Sequence, residues 1–283
     1  MNRITTLAPL PARPADGHKG TFGRLLVIGG SATMIGAPAY CALAAYHAGC
    51  GYVQIGTPAE TLLATLSLCP QAIGLTLPGE EQNDAIDRAD AIAIGPGLGK
   101  LPAAKTVLDA VLIADKPKVL DADALNLISE RSAWPANVAN RCVLTPHPGE
   151  MKRLGKLFGK TDQSATEESD RIDTATRAAK AFRQIVVLKG HRTIVTDGDR
   201  VYINRTGSSA LAKAGSGDIL SGISGAMLGQ KHLDPFDAAC TAVWIHGKAG
   251  EIAGQRVGER SAMATDIIAA ISEAVEQYQH SFG

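Results

Sequence analysis

Between Asn204 and Gly229 the chain reads NRTGSSALAKAGSGDILSGISGAMLG. Its chemistry lies in Lys213-Ala-Gly-Ser-Gly-Asp218, a loop of small residues running straight into an apolar segment. Ile219, Ile223, Ala226 and Met227 follow at helical spacing. Gly215 and Gly217 have no Cβ, so the backbone there can turn tightly and approach a ligand closely. The first amides of a helix lack intrahelical partners, and the helix dipole makes that end positive. Such a loop entering a helix is an anion site suited to phosphate. Asp218 puts a negative charge where the anion would lie. Two readings of it stand: a helix cap, or a general base taking a proton from a hydroxyl that attacks phosphorus.

The elements that must position this loop are legible as alternating periods. Arg24–Gly29 (RLLVIG), Tyr52–Gly56, Ala91–Gly95 (AIAIG), Lys118–Leu120, Cys142–Thr145 and Ile185–Lys189 (IVVLK) are short apolar runs that read as buried strands. Gly36–Gly49, a segment opening at Thr57-Pro58, Ala103–Ile113 and about Glu167–Arg183 read as helices. Gly159–Arg171, the most polar stretch, reads as a surface loop or helix entry. Thr193–Thr196 and Arg200–Asn204 flank Asp-Gly-Asp and read as a hairpin. Ala238–Gly254 and Ala264–Tyr278 are predicted as closing helices. Strands alternating with helices imply an α/β chain with a largely parallel sheet wrapped by helices. No repeat of solenoid period is present, so residues 1–283 are expected to form one domain behind an extended arm over 1–17.

Four glycine-marked loops each follow a predicted strand: Gly29–Gly36, Gly95–Gly99, Thr145–Glu150 and Lys189–Thr193. In open parallel sheets ligands bind beyond the carboxyl ends of the strands, so these loops converge on one crevice that the 213–218 loop closes. Lys189-Gly-His-Arg-Thr193 offers a cation, a glycine and a hydroxyl suited to nucleotide phosphates, or else a solvated strand end. His147 lies between two prolines in a constrained loop, where an imidazole can be structural or catalytic. Glu150 can cap the next helix or face a magnesium ion through water. Asp121 and Asp123 read as the polar end of a buried strand, and His246, within VWIHGKAGE, as a packed side chain. No GxxxxGK[ST] is present, and neither Gly49-Cys-Gly51 nor Gly95-Pro-Gly97 extends to GxGxxG. A P-loop is therefore excluded, and a Rossmann dinucleotide site is unsupported.

Composition narrows the class further. The 283 residues hold 45% apolar and 4% aromatic side chains, enough for a core built of Ala, Val, Ile and Leu. Lys plus Arg and Asp plus Glu are 28 each, so bulk charge offers no attraction to nucleic acid or an anionic membrane. Cys41, Cys50, Cys69, Cys142 and Cys240 form no CxxC pair, which suits reduced thiols in the cytoplasm. The N-terminus, broken by Pro9, Pro11 and Pro14, holds no signal-peptide run.

Taken in order, TFGRLLVIGGS, AIAIGPGLG, VLTPHPGE, VVLKGHRT and NRTGSSALAKAGSGDILSGI resemble the ADP-dependent NAD(P)H-hydrate dehydratases of the ribokinase-like superfamily. The resemblance runs from about His18 to Ser272, and TPHPGE together with AGSGD is its most specific part. It implies a central, mostly parallel sheet with helices on both faces. It also implies ADP-dependent repair of hydrated NADH or NADPH, by phosphorylation of the C6 hydroxyl and loss of phosphate. By the resemblance Asp218 is the general base, and Gly215, Ser216 and Gly217 supply amides around the transferred phosphoryl. Lys189, Gly190, His191, Arg192, Thr193 and Gly217 match the family's adenine nucleotide contacts. Ala37, Gly97, His147 and Asp218 match its contacts to the hydrate. Glu150 stands roughly where kinase relatives place an acid near Mg2+, although the Asn that precedes it there is missing here. The resemblance further implies a homo-oligomer, with a tetramer expected. Many relatives carry an epimerase domain ahead of this one; here the first motif lies too near the start, so a separate epimerase is expected. Two rivals remain at this stage, a ribokinase-like kinase releasing a stable phosphate ester and a nucleotide-sensing module without turnover.

Overall fold

Runs of Val, Ile, Leu and Ala with no polar side cannot face water, and here they pair into one sheet covered on both faces. The computed structural model describes residues 1–139, 142–160, 167–230 and 233–281. Among these, the strands are β1 (Asn2–Ile4), β2 (Arg24–Ile28), β3 (Tyr52–Thr57), β4 (Ile73–Thr76), β5 (Ala91–Ile94), β6 (Lys118–Leu120), β7 (Cys142–Leu144), β8 (Ile185–Leu188), β9 (Ile194–Thr196) and β10 (Arg200–Ile203). They lie in the order β1-β10-β9-β8-β7-β6-β5-β2-β3-β4. From β4 to β8 every pairing is parallel, while β9 is antiparallel to both of its neighbours. The described helices are α1 (Gly36–His47), α2 (Ala59–Leu68), α3 (Gln82–Arg88), α4 (Pro102–Ile113), α5 (Ala122–Ser129), α6 (Pro148–Leu154), α7 (Glu168–Phe182), α8 (Ser216–Gly229), α9 (Pro235–Val257) and α10 (Ala264–His280).

The strand period of two divides the core. Leu25 and Val27 of β2 join a cluster formed with α1, α8, α9 and α10, whereas Leu26 and Ile28 face α3, α4, α5 and α7. Helix α8 is buried along almost its whole length. It reaches α1 closely because Gly222 has no side chain: a Cβ there would lie 2.0 Å from the Cys41 carbonyl oxygen.

The main elements fall where the sequence places them, with four differences. Residues 2–4 of the expected arm pair with β10 and extend the sheet edge. Asp121-Ala-Asp123, read as a strand end, is the start of α5, which Ala122 enters with φ 46°. β4 and α3 were not anticipated; β4 is an edge strand of four residues with Ile73 exposed, too short and too mixed to carry a periodic signal. Helix α9 runs Pro235–Val257, three residues longer at each end than expected, because Asp234 caps Phe236 N at 3.0 Å and Pro235 occupies the first turn. Of the polar stretch Gly159–Arg171, residues 161–166 lie outside the described residues.

Candidate active site

Strand β2 is flanked by β3 on one side and β5 on the other, so the strand order reverses there. The loops leaving β2 and β5 diverge at that point and open a crevice, the usual ligand position in an open α/β sheet. The loops are locked together where they begin. Gly30 N donates to Pro96 O at 2.9 Å, and a Cβ on Gly29 would sit 2.1 Å from the same oxygen. Gly97 turns with φ 63°, and a Cβ placed on it would meet the Ala37 Cβ at 3.1 Å. Ala37 and Gly97, singled out separately in the sequence, are thus neighbours at the switch point. Asp123 steadies this loop by accepting from Gly99 N at 2.8 Å.

Across the crevice, Gly215 takes φ 91° and serves as the N-cap of α8, with no side chain to satisfy the helix amides. A Cβ on Gly215 would touch Tyr40 of α1, so the loop lies directly beside the helix that carries Ala37. Ser216 N already donates to Lys213 O at 3.3 Å. The first-turn amides that follow are those of Gly217 and Asp218, beside those expected of Gly215 and Ser216. Asp218 occupies the third helical position and makes no cap hydrogen bond, so the helix-cap reading falls. Burial pushes its carboxyl up to about 7, with the nearby Asp121 adding and Lys189 opposing. That is the proton affinity of a base working at neutral pH.

Asp121 is the residue that sequence reasoning undervalued. Its carboxylate accepts from Thr145 Oγ1 at 2.8 Å, Ser221 Oγ at 2.7 Å and Lys189 Nζ at 2.8 Å. Burial would raise its pKa, but Lys189 and the two hydroxyls outweigh that and hold it below the ordinary range. The signal in sequence was an acid closing an apolar strand, which many solvated strand ends share. Lys189 is raised for the converse reason: burial lowers it, and Asp121 and Glu150 more than compensate. Its ammonium also borders the helix entry, since a Cβ on Gly217 would lie 3.5 Å from Nζ. In this arrangement Lys189 is the counter-charge shared by three carboxylates, those of Asp121, Glu150 and Asp218.

His147 and Glu150 form a reciprocal cap at the start of α6. His147 Nδ1 accepts from Gly149 N at 2.9 Å, and Glu150 Oε2 accepts from His147 N at 2.8 Å. His147 thus has a structural task as a cap, while half of its side chain stays exposed and its Nε2 is 3.4 Å from Glu150 Oε1. Glu150 is buried, 3.7 Å from Lys189 Nζ. In the 189–193 loop, Gly190 and Arg192 both take positive φ. Arg171 Nη1 holds His191 O at 2.5 Å, Arg192 pairs with Glu168 at 3.1 Å, and Thr193 Oγ1 donates to Gly190 O at 3.1 Å. The loop is braced by its own Thr193 and Arg192 and by Arg171 and Glu168 of α7. Among the described residues no group of three or more His, Cys, Asp or Glu could hold a metal.

An open, doubly wound sheet whose switch-point crevice is closed by a glycine anion loop, with an acid on the first turn behind it, defines a ribokinase-like fold. Solved structures agree: a ribokinase-like superfamily protein of Enterococcus faecalis superposes with a TM-score of 0.80 at 25% identity, over 98% of this chain and 96% of that one. The chain belongs to the NAD(P)H-hydrate dehydratase family, whose model matches residues 25–273. It is 42% identical to the ADP-dependent (S)-NAD(P)H-hydrate dehydratase of Neisseria meningitidis, over 87% of this chain and 82% of that protein. It is 39% identical to a bifunctional NAD(P)H-hydrate repair enzyme of Moorella thermoacetica, over 92% of this chain and 50% of that protein. The chain thus spans about half the length of the bifunctional relatives it matches. A Bacillus subtilis ADP/ATP-dependent NAD(P)H-hydrate dehydratase, co-crystallized with ATP/Mg2+, superposes with a TM-score of 0.82 at 32% identity, over 95% of each chain.

Proposed function

We propose that this protein dehydrates the S-epimer of hydrated NADH or NADPH, using ADP as phosphoryl donor. The observation that carries the reading is Asp218, a carboxyl pushed up to about 7 on the first turn of α8, whose N-cap Gly215 offers the helix amides no side-chain acceptor. Water is a poor leaving group, so the C6 hydroxyl is first made into a phosphate ester. Asp218 takes the hydroxyl proton as its oxygen attacks the β-phosphorus of ADP, and AMP departs. The amides of Gly217 and Asp218 stabilise charge growing on the phosphoryl oxygens. The ring nitrogen's lone pair then expels phosphate from C6, and loss of a proton from C5 restores the dihydropyridine. Ala37 and Gly97 hold the nicotinamide end at the switch point, with His147 beside it. The braced 189–193 loop and Gly217 take the adenine nucleotide.

The donor set fits Mg2+ only as an ion carried in by phosphates. Glu150 Oε2 accepts from His147 N, and Asp121 already accepts from three donors. Mg2+ keeps several waters and takes few protein ligands, so Glu150 would face it through water. When bound, the ion would neutralise charge across the nucleotide phosphates.

The reading extends to a cytoplasmic homo-oligomer, tetrameric by family resemblance, whose substrate is also handled by an epimerase activity. Its supports are five buried cysteines, none in a disulfide, and apolar side chains left exposed on α2 (Leu63 and Leu68) and on the edge strand β4 (Ile73). No described helix is long and apolar enough to cross a membrane. The deciding assay incubates the protein with hydrated NADH, magnesium and ADP, following inorganic phosphate beside dihydronicotinamide absorbance. AMP, phosphate and NADH should appear in equal amounts. A stable phosphorylated product without free phosphate would replace this reading with that of a kinase.

A further inference from the structure

His246 stands midway along α9 and belongs to none of the groups used above. Its Nε2 lies 3.1 Å from Ser216 Oγ. Ser216 is the first residue of α8, set between the left-handed Gly215 and Gly217 at the mouth of the anion site. Enclosure by the helix packing pushes the His246 pKa down to about 4, so the ring is neutral at physiological pH. Simple packing would be served better by an apolar side chain, which has no polar atom to satisfy.

The surroundings of His246 are anchored by the chain that leads into the anion loop. Asn204 Nδ2 donates to Val243 O at 2.9 Å, and Thr206 Oγ1 to Trp244 O at 2.9 Å. Ser208 Oγ reaches Gly250 O at 3.3 Å. Gly247 permits this contact, since a Cβ there would lie 2.2 Å from Thr206 Oγ1. Residues 204–208 are thus clamped to the turns of α9 on both sides of His246, and the same helix then holds Ser216 a few residues later. One helix grips both the entry and the exit of the loop.

We propose that His246 is a positioning residue for the phosphoryl site: through Nε2 it fixes Ser216, and with it the direction of the open Gly217 and Asp218 amides. The inference rests on the phosphoryl transfer proposed above. A donor array loosened by about 1 Å can lose on the order of 10²-fold in rate.

The test compares Ser216→Ala, His246→Phe, His246→Gln and the Ser216→Ala/His246→Phe double variant in the hydrate and ADP assay. We expect kcat to fall roughly 10–100-fold in Ser216→Ala and His246→Phe, with KM for both substrates nearly unchanged. The double variant should lose no more than either single one, because both remove the same link. His246→Gln, whose amide can still bond Ser216, should recover part of the loss. A merely structural histidine would lower Tm without coupling to Ser216. A second readout needs no turnover: the 15N signals of the His246 ring should shift when ADP and inorganic phosphate are added, and should not in Ser216→Ala. Wild-type kcat in His246→Phe, additive losses, or a ring signal indifferent to phosphate would overturn the inference. If the wild-type protein fails to repair the hydrate, the proposed function falls, and the ring signal alone decides the role of His246.

Discussion

At the third position of a helix a carboxylate ordinarily gains from the positive dipole end. For Asp218 burial overrides that gain and Asp121 adds to it, so the carboxyl is pushed up to about 7. The acting form is the charged one, and kcat/KM should therefore climb with pH and level off above about 7. The linkage to folding runs the other way. Between an unfolded value of about 3.9 and the folded value of about 7, the native state binds more protons. Stability therefore falls as pH rises through that window, and the full penalty is present above it. Asp218→Asn should lower turnover by about 10²–10⁴ while leaving ADP affinity unchanged. It should also melt above the wild type under mildly alkaline conditions, with the gain vanishing as the pH is lowered through the window. Turnover at different pH and calorimetric ADP titration test the first half, and thermal melts the second. Wild-type turnover would remove Asp218 from the mechanism.

At the scale of elements, the site depends on how close α8 lies to α1, since one carries Asp218, the proposed base, and the other Ala37. Gly222 sets that spacing, with its Cα facing the Cys41 carbonyl across the contact. Gly225 does the same against Leu25 of β2, where a Cβ would come within 2.7 Å. Gly222→Ala must push the helices apart, because the obstacle is backbone and cannot rotate away. The expected cost is about 1–3 kcal/mol, the usual range for overpacking. A urea melt should show a lower midpoint at unchanged slope, accompanied by reduced turnover. A wild-type midpoint would mean that the contact is looser than described.

At the scale of the molecule, Asp121 joins parts of the chain far apart in sequence: Thr145 after β7, Lys189 after β8 and Ser221 within α8. The crevice is closed electrostatically at this junction. Removing the cation alone leaves buried carboxylates unbalanced, which typically costs about 3–5 kcal/mol. Lys189→Met should therefore destabilise the fold by that order. It should also move the acidic limb of kcat/KM to higher pH, since Lys189 is what opposes the rise at Asp218. Adding Asp121→Asn should restore part of the lost stability by removing the stranded charge. Urea melts of the single and double variants decide it, and a single variant as stable as wild type would refute the counter-charge role.

What the sequence determined by itself was whatever depends on local period and local sterics. The buried strands, the glycine loops that follow them and the anion loop entering α8 are each written in a few adjacent residues. Order along the chain then implies a parallel sheet and a crevice at its carboxyl edge. Short or half-exposed pieces such as β4 and α3 escaped, because four to seven residues of mixed character carry too little periodicity. Roles set by partners distant in sequence could not be read. Lys189 looked like a cation for phosphate or a solvated strand end, Asp121 like a polar strand end and His246 like packing, because an ion pair, a buried hub and a hydrogen bond between two helices are properties of segments meeting in space. Asp218 shows the division most plainly. Its place beside the glycines is a fact of sequence, whereas its proton affinity arises only when folding strips away water and brings a second carboxylate near.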